Sequence, residues 1–159
     1  MSSNTAKKNR SRGIKICIDL ECNSVKFNAT KLRSMLSQTC LRFGVESAQI
    51  NLAIVDNPEI VKVNRKFLKS RKITDVISFD VSDEQDESFF DIIINAQLAR
   101  KQAQKRQINP EAELALYALH GLLHNLGFDD ISEDKAKKMH KTEDEILQEF
   151  GYGIVYNND

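Results

Sequence analysis

One stretch constrains this chain more than any other. Between Pro110 and Asn125, Leu114, Leu116, Leu119, Leu122 and Leu123 fall around most of the circumference of a helix, so that helix must be enclosed by other elements rather than lie on a surface. Asn109-Pro110 starts it, Glu111 and Glu113 suit its positive first turn, and Gly127 stops it. Two of the chain's three histidines, His120 and His124, lie within it, four residues apart. Residues at that spacing project from one face, so two imidazoles can reach a single metal ion without bending the backbone. Gly127 lets the chain turn back, and Phe128-Asp129-Asp130 follows, so a carboxylate can complete a three-ligand site with an open position for water. The competing reading is a pair of core histidines with ordinary hydrogen bonds. Burying two imidazoles among leucines is costly without partners, and the two carboxylates nearby favour the metal.

The remaining pattern supplies the enclosure. Ile14, Ile16 and Ile18 alternate with Lys15, Cys17 and Asp19, which predicts a half-buried strand. Leu32, Met35, Leu36, Cys40 and Phe43 recur at helical spacing from Ala29 to Phe43, before Gly44. Ile50, Leu52 and Ile54 alternate again, and Asn57-Pro58 opens a short helix carrying Ile60, Val61, Val63, Asn64 and Phe67. Val76 to Val81 and Phe90 to Ile94 read as strands around an acidic loop, Ala96 to Gln107 as a polar helix, and Ser132 to Phe150 as the last helix, N-capped by Ser132. The prediction is an α+β fold: a small mixed sheet of about four strands packed with about five helices, the histidine helix in the core as a zincin-like metal-site helix. With 159 residues, 41% hydrophobic, one core is enough. We therefore expect residues 14–155 to form one domain, preceded by a flexible basic arm over residues 1–13 that carries Lys7, Lys8, Arg10 and Arg12 without an acid.

Charge and composition exclude several classes. Lys plus Arg and Asp plus Glu each number 23, for a formal net charge of zero, so any nucleic-acid contact must come from a local patch. The densest one runs from Lys62 to Lys72, where Lys62, Arg65, Lys66, Lys69, Arg71 and Lys72 occur without an acid. No apolar run approaches the roughly 20 residues of a membrane span, and no apolar segment follows the basic start, which argues against a secretory signal. Cys17, Cys22 and Cys40 have neither C-x-x-C spacing nor a disulfide framework, so a reducing compartment, the cytoplasm, is expected. The third histidine, His140, lies among lysines and reads as an exposed surface residue.

The run His120-Gly121-x-Leu123-His124-x-x-Gly127-Phe128-Asp129-Asp130 resembles the H-G-x-L-H-x-x-G-Y-D-H signature of the YbeY family of endoribonucleases. Met139, Glu143 and Ile146-Leu147 stand where that family's last helix has M, E and I-L. Asn64 with Thr74-Asp75-Val76-Ile77-Ser78-Phe79 resembles its N…P-T-D/N-V-L-S-F segment, and Asp91-Ile92 its D-I strand. The departures are specific. Asp130 replaces the usual last histidine, Leu68 an arginine that follows the aromatic Phe67, Ile73 a proline and Phe90 a glycine.

The resemblance implies metal-dependent cleavage of single-stranded RNA in ribosomal RNA maturation and ribosome quality control, with ribosomal subunits as partners and no DNA expected. His120, His124 and Asp130 would hold one zinc ion; the Asp130 carboxylate adds negative charge, weakens the Lewis acid and admits other divalent metals. Asp129 would orient a ligand histidine or relay a proton, Glu143 would support or cap, and Lys69, Arg65 or Arg71 would replace the cation missing at Leu68. Two other readings stay open. One is a binding module of the same fold whose catalysis is weakened by Leu68 and Asp130. The other is a zinc metallopeptidase, which lacks its base because Gly121 stands where such enzymes carry glutamate.

Overall fold

The computed structural model describes residues 13–83, 87–153 and 155; the basic arm expected up to Arg12 lies outside the described residues. The elements follow in the order β1 (Ile14–Leu20), α1 (Ala29–Arg42), β2 (Ala48–Val55), α2 (Asn57–Leu68), β3 (Val76–Asp80), β4 (Ser88–Asn95), α3 (Ala96–Arg106), α4 (Pro110–Asn125) and α5 (Glu133–Glu149). Each helix begins at a side-chain cap: Asn28, Asp56, Asn95, Asn109 and Ser132 accept from backbone N–H groups of the first turn, satisfying donors that the helix cannot. The boundaries differ from the sequence reading only at the ends. Phe43 is the C-cap of α1, Val81 lies beyond β3, and β4 begins two residues before Phe90.

The four strands form one sheet in the order β1-β2-β4-β3, with β1 and β4 parallel to β2 and β3 antiparallel to β4. The mixed α+β architecture is as expected. Strand pleating sends alternate residues to opposite faces. Ile50, Leu52, Ile54, Ile92 and Ile94 pack on one face with Leu36 of α1, Leu119 and Leu122 of α4, and Met139, Ile146 and Leu147 of α5. On the other face Ile77 and Ile93 pack beneath Ile60 and Val61 of α2. From Ala112 to Leu123 every residue of α4 is buried except His120, which explains the leucines around its circumference.

Close packing of α4 on the sheet positions the histidines. A Cβ at Gly121 would sit 2.8 Å from Ile92 Cγ2 and 2.9 Å from Val76 Cγ2. Only hydrogen fits there, so α4 lies directly on β4 and β3. Because β3 is an edge strand, His120 and His124 come to the border of the core.

Candidate metal centre

The turn after α4 gathers the third group. Gly127 has φ +102, a conformation that costs glycine little and other residues much. Its N–H donates to the His124 carbonyl at 3.1 Å, and the Phe128 N–H to the Leu123 carbonyl at 2.9 Å. The chain thereby folds back over the helix end. His120 Nε2 lies 3.0 Å from His124 Nε2, 3.9 Å from Asp130 Oδ2, and Asp130 Oδ1 lies 4.0 Å from His124 Nε2. One ligand atom from each of the three lies within 4.8 Å of the others. The histidine side chains are 18% and 31% exposed and Asp130 is 45% exposed, so the cluster is reachable from solvent on the aspartate side.

The outward ring nitrogens are spoken for. His124 Nδ1 lies 3.0 Å from the Phe128 carbonyl oxygen, which can only accept, so Nδ1 carries the proton. His120 Nδ1 lies 3.0 Å from Glu143 Oε2, where it donates to the carboxylate. In the neutral rings both Nε2 atoms are then lone pairs, and they face each other across 3.0 Å beside an acidic side chain. That arrangement is repulsive unless a cation, a proton or a metal ion, sits between them. Tetrahedral zinc at about 2.1 Å from each ligand needs donor atoms roughly 3.4 Å apart, a small adjustment of the Nε2 pair. Two imidazoles held by outer hydrogen bonds, with a carboxylate beside them, therefore fit a divalent cation.

Electrostatics agree. Burial of His120 opposes its charged form, but the hydrogen bond and charge of Glu143, with the charges of Asp75 and Asp130, outweigh it and raise its pKa above the ordinary value. Glu143 is fully buried on α5, and its Oε1 has no hydrogen-bond partner among the described residues, so the one hydrogen bond this carboxylate makes through Oε2 is to His120.

Other residues singled out from the sequence fall elsewhere. Asp129 does not orient a histidine; Glu143 and the Phe128 carbonyl do that. Asp129 accepts from Ile131 N at 3.2 Å and from Lys135 Nζ at 3.3 Å, and the Ile131 bond, with Lys135 and His124, keeps its carboxyl below the usual range against slight desolvation. Lys69 ends α2 in the left-handed region at φ 52, and the loop beyond is clamped by buried Asn64, whose side chain donates to the Lys72 carbonyl at 3.0 Å. Lys69 and Arg71 are exposed, and no hydrogen bond ties either to the cluster. Leu68 is 55% exposed. His140 is half-buried rather than exposed, and it is outside the cluster. Asp75 was not anticipated as a site group, yet its charge acts on His120. A larger cavity of about 690 Å³, lined by Asp19, Asn51, Phe67, Phe79 and Asp91 among others, contains no member of the cluster. No helix among the described residues is long and apolar enough to cross a membrane.

The sequence pattern of the family described as Endoribonuclease YbeY matches residues 18–151. The chain belongs to the YbeY endoribonuclease family. Its relatives include Endoribonuclease YbeY of Staphylococcus epidermidis, 36% identical over 114 residues, or 65% of this chain and 74% of that one. The Staphylococcus aureus protein of the same name is 36% identical over 116 residues, covering 67% and 75%. The solution structure of TM1509 from Thermotoga maritima has the same fold, with a TM-score of 0.54 and 23% identity over 86% of this chain and 91% of that one. Membership in the YbeY family places the chain among hydrolases that cut RNA internally, which is the class that the sequence resemblance implied.

Proposed function

We propose that this chain is a metal-dependent endoribonuclease for single-stranded RNA, acting in the cytoplasm on ribosomal RNA and ribosomal subunits during rRNA maturation and ribosome quality control. One ion, zinc or another divalent metal, is held by His120, His124 and Asp130. The observation that carries this reading is the pair of Nε2 lone pairs converging at 3.0 Å with Asp130 beside them. When bound, the ion polarises a phosphate oxygen and lowers the pKa of its water.

The protein groups supply the rest. Glu143 and the Phe128 carbonyl fix the two ring orientations, and Asp129 holds the turn that presents Asp130 through its bonds to Ile131 and Lys135. Lys69 and Arg71, with the other cations between Lys62 and Lys72, guide the phosphate backbone and balance charge that develops on it. Residues 14–155 form the catalytic domain, and the basic arm of residues 1–13 lengthens the phosphate path.

The test joins metal content to cleavage. Tag-free protein analysed by mass spectrometry should hold close to one metal per chain, and His120→Ala, His124→Ala and Asp130→Ala should each lose most of it. His124→Ala should also stop cutting single-stranded RNA while still binding it. Exposed Leu68 in place of the family arginine favours a second reading, the non-catalytic binding module. A metal-loaded wild type that binds RNA without cutting it would select that reading.

A further inference from the structure

Beside the cluster, α4 carries a polar stripe that the metal does not use. Tyr117 and Glu113 precede His120 by three and seven residues on the same side of the helix, about 4.5 and 10 Å along its axis. A cavity of about 420 Å³ opens along that stripe, walled by Tyr117, Leu116, Leu98, Gln102, Thr74 and Asp75. Its size falls in the range of about 300–1,000 Å³ typical of small-ligand pockets. One end is closed by Glu113 and Arg106, paired at 3.4 Å, with Arg106 also donating to the Val155 carbonyl at 2.6 Å. Those two groups are held by the fold.

Asp75 differs. Its Oδ1 accepts from Val76 N at 2.8 Å and Thr74 Oγ1 at 3.3 Å, while Oδ2 accepts no hydrogen bond among the described residues. Asp75 lines the cavity beside Tyr117, which stands one helical turn before His120, and its charge acts on both. With Asp75 and Glu113 lining it and its one arginine already paired, the cavity repels phosphate. It suits a flat, neutral ligand that offers N–H donors to a carboxylate and slides against Leu98, Leu116 and Tyr117.

The geometry points to a base-reading subsite: the cavity takes the nucleobase next to the cleaved phosphate, and Asp75 Oδ2 accepts from the exocyclic amine of guanine, adenine or cytosine, whereas uracil offers only its N3–H, flanked on both sides by carbonyl oxygens that the carboxylate repels. It rests on the endoribonuclease reading and adds a base preference to it. A half-buried hydrogen bond to a carboxylate corresponds to roughly tenfold discrimination or more, and uracil meets the same carboxylate with a carbonyl oxygen where cytosine places its amine.

Two measurements on the metal-loaded full chain test this. In NMR titrations, AMP, GMP and CMP should shift the amides of Asp75, Gln102 and Tyr117, with UMP at least about tenfold weaker. In sequencing of cut ends from a random-sequence RNA, uridine should be depleted at one position flanking the cut. Asp75→Asn, which presents an N–H in place of the free oxygen, should abolish or reverse that depletion, and Gln102→Ala should weaken it, with metal content unchanged. Equal binding of all four nucleotides, or cut profiles identical across wild type and both variants, overturns the subsite and leaves the nuclease standing. Selective binding of the three amine-bearing nucleotides without RNA cleavage sustains the subsite and sinks the nuclease.

Discussion

Glu143 allows the metal site to be separated from the fold by one substitution. Its Oε2 holds His120 Nδ1 at 3.0 Å, its Oε1 has no hydrogen-bond partner among the described residues, and the residue is fully buried. Groups that orient metal-binding histidines are worth about 10–100-fold in affinity, or roughly 1.4–2.7 kcal/mol. Glu143→Gln keeps an oxygen that can accept from Nδ1 but removes the charge, so zinc affinity should fall about tenfold. Glu143→Leu removes both and should cost closer to 100-fold. Stability should respond differently. The leucine relieves a buried orphan oxygen and strands one ring N–H, two effects of about 1–3 kcal/mol each that largely cancel. The melting temperature of the metal-free protein should therefore move by less than about 4 °C. Chelator-competition titrations give the affinity, and thermal melts of chelator-treated protein give the stability. Zinc affinity within twofold of wild type in both variants would refute the orienting role, and so would an affinity loss that appears only alongside a collapse in stability.

Protonation of His120 gives a second check. Its folded-state pKa is raised from 6.5, so in metal-free protein it contributes stability that is fully present below about pH 6.5 and is lost as pH rises through the raised value. The melting-temperature gap between chelator-treated wild type and His120→Ala should be wider at pH 6 than at pH 8.5, whereas metal affinity should increase over the same interval as the competing proton leaves. Gly121→Ala should destabilise by about 1–3 kcal/mol, because the new methyl meets Ile92 and Val76 at 2.8 and 2.9 Å; an unaltered denaturation midpoint would contradict the packing described. Lys69→Gly removes a cation at a left-handed position that glycine adopts more easily. It should lower the salt dependence of RNA binding by about 0.7 in log–log slope without lowering the melting temperature, and an unchanged slope would exclude Lys69 from the phosphate path.

Features set within a few residues were legible in the sequence. The alternation of Ile14, Ile16 and Ile18 predicted a strand, Asn109-Pro110 a helix start, and the four-residue spacing of His120 and His124 a shared face, because strand pleat and helical turn repeat over two to four residues. Composition around α4 even predicted its burial. Glu143 was visible in part: it lies at helical spacing with Met139, Ile146 and Leu147, an acid on a buried face. Its partner was not, since His120 is 23 residues away and they meet only where α5 packs on α4. Likewise, nothing local distinguishes Asp129 from Asp130. The glycine turn and the closing bonds at Leu123 and His124 turn Asp130 toward the rings and leave Asp129 to Ile131 and Lys135. The insertion of β4 between β2 and β3 brought Val76 and Ile92 under Gly121, and Asp75, at the entry to β3, acts on His120. Sequence periodicity determined the elements and the histidine pair; the order in which the core stacked those elements decided which distant carboxylates face it.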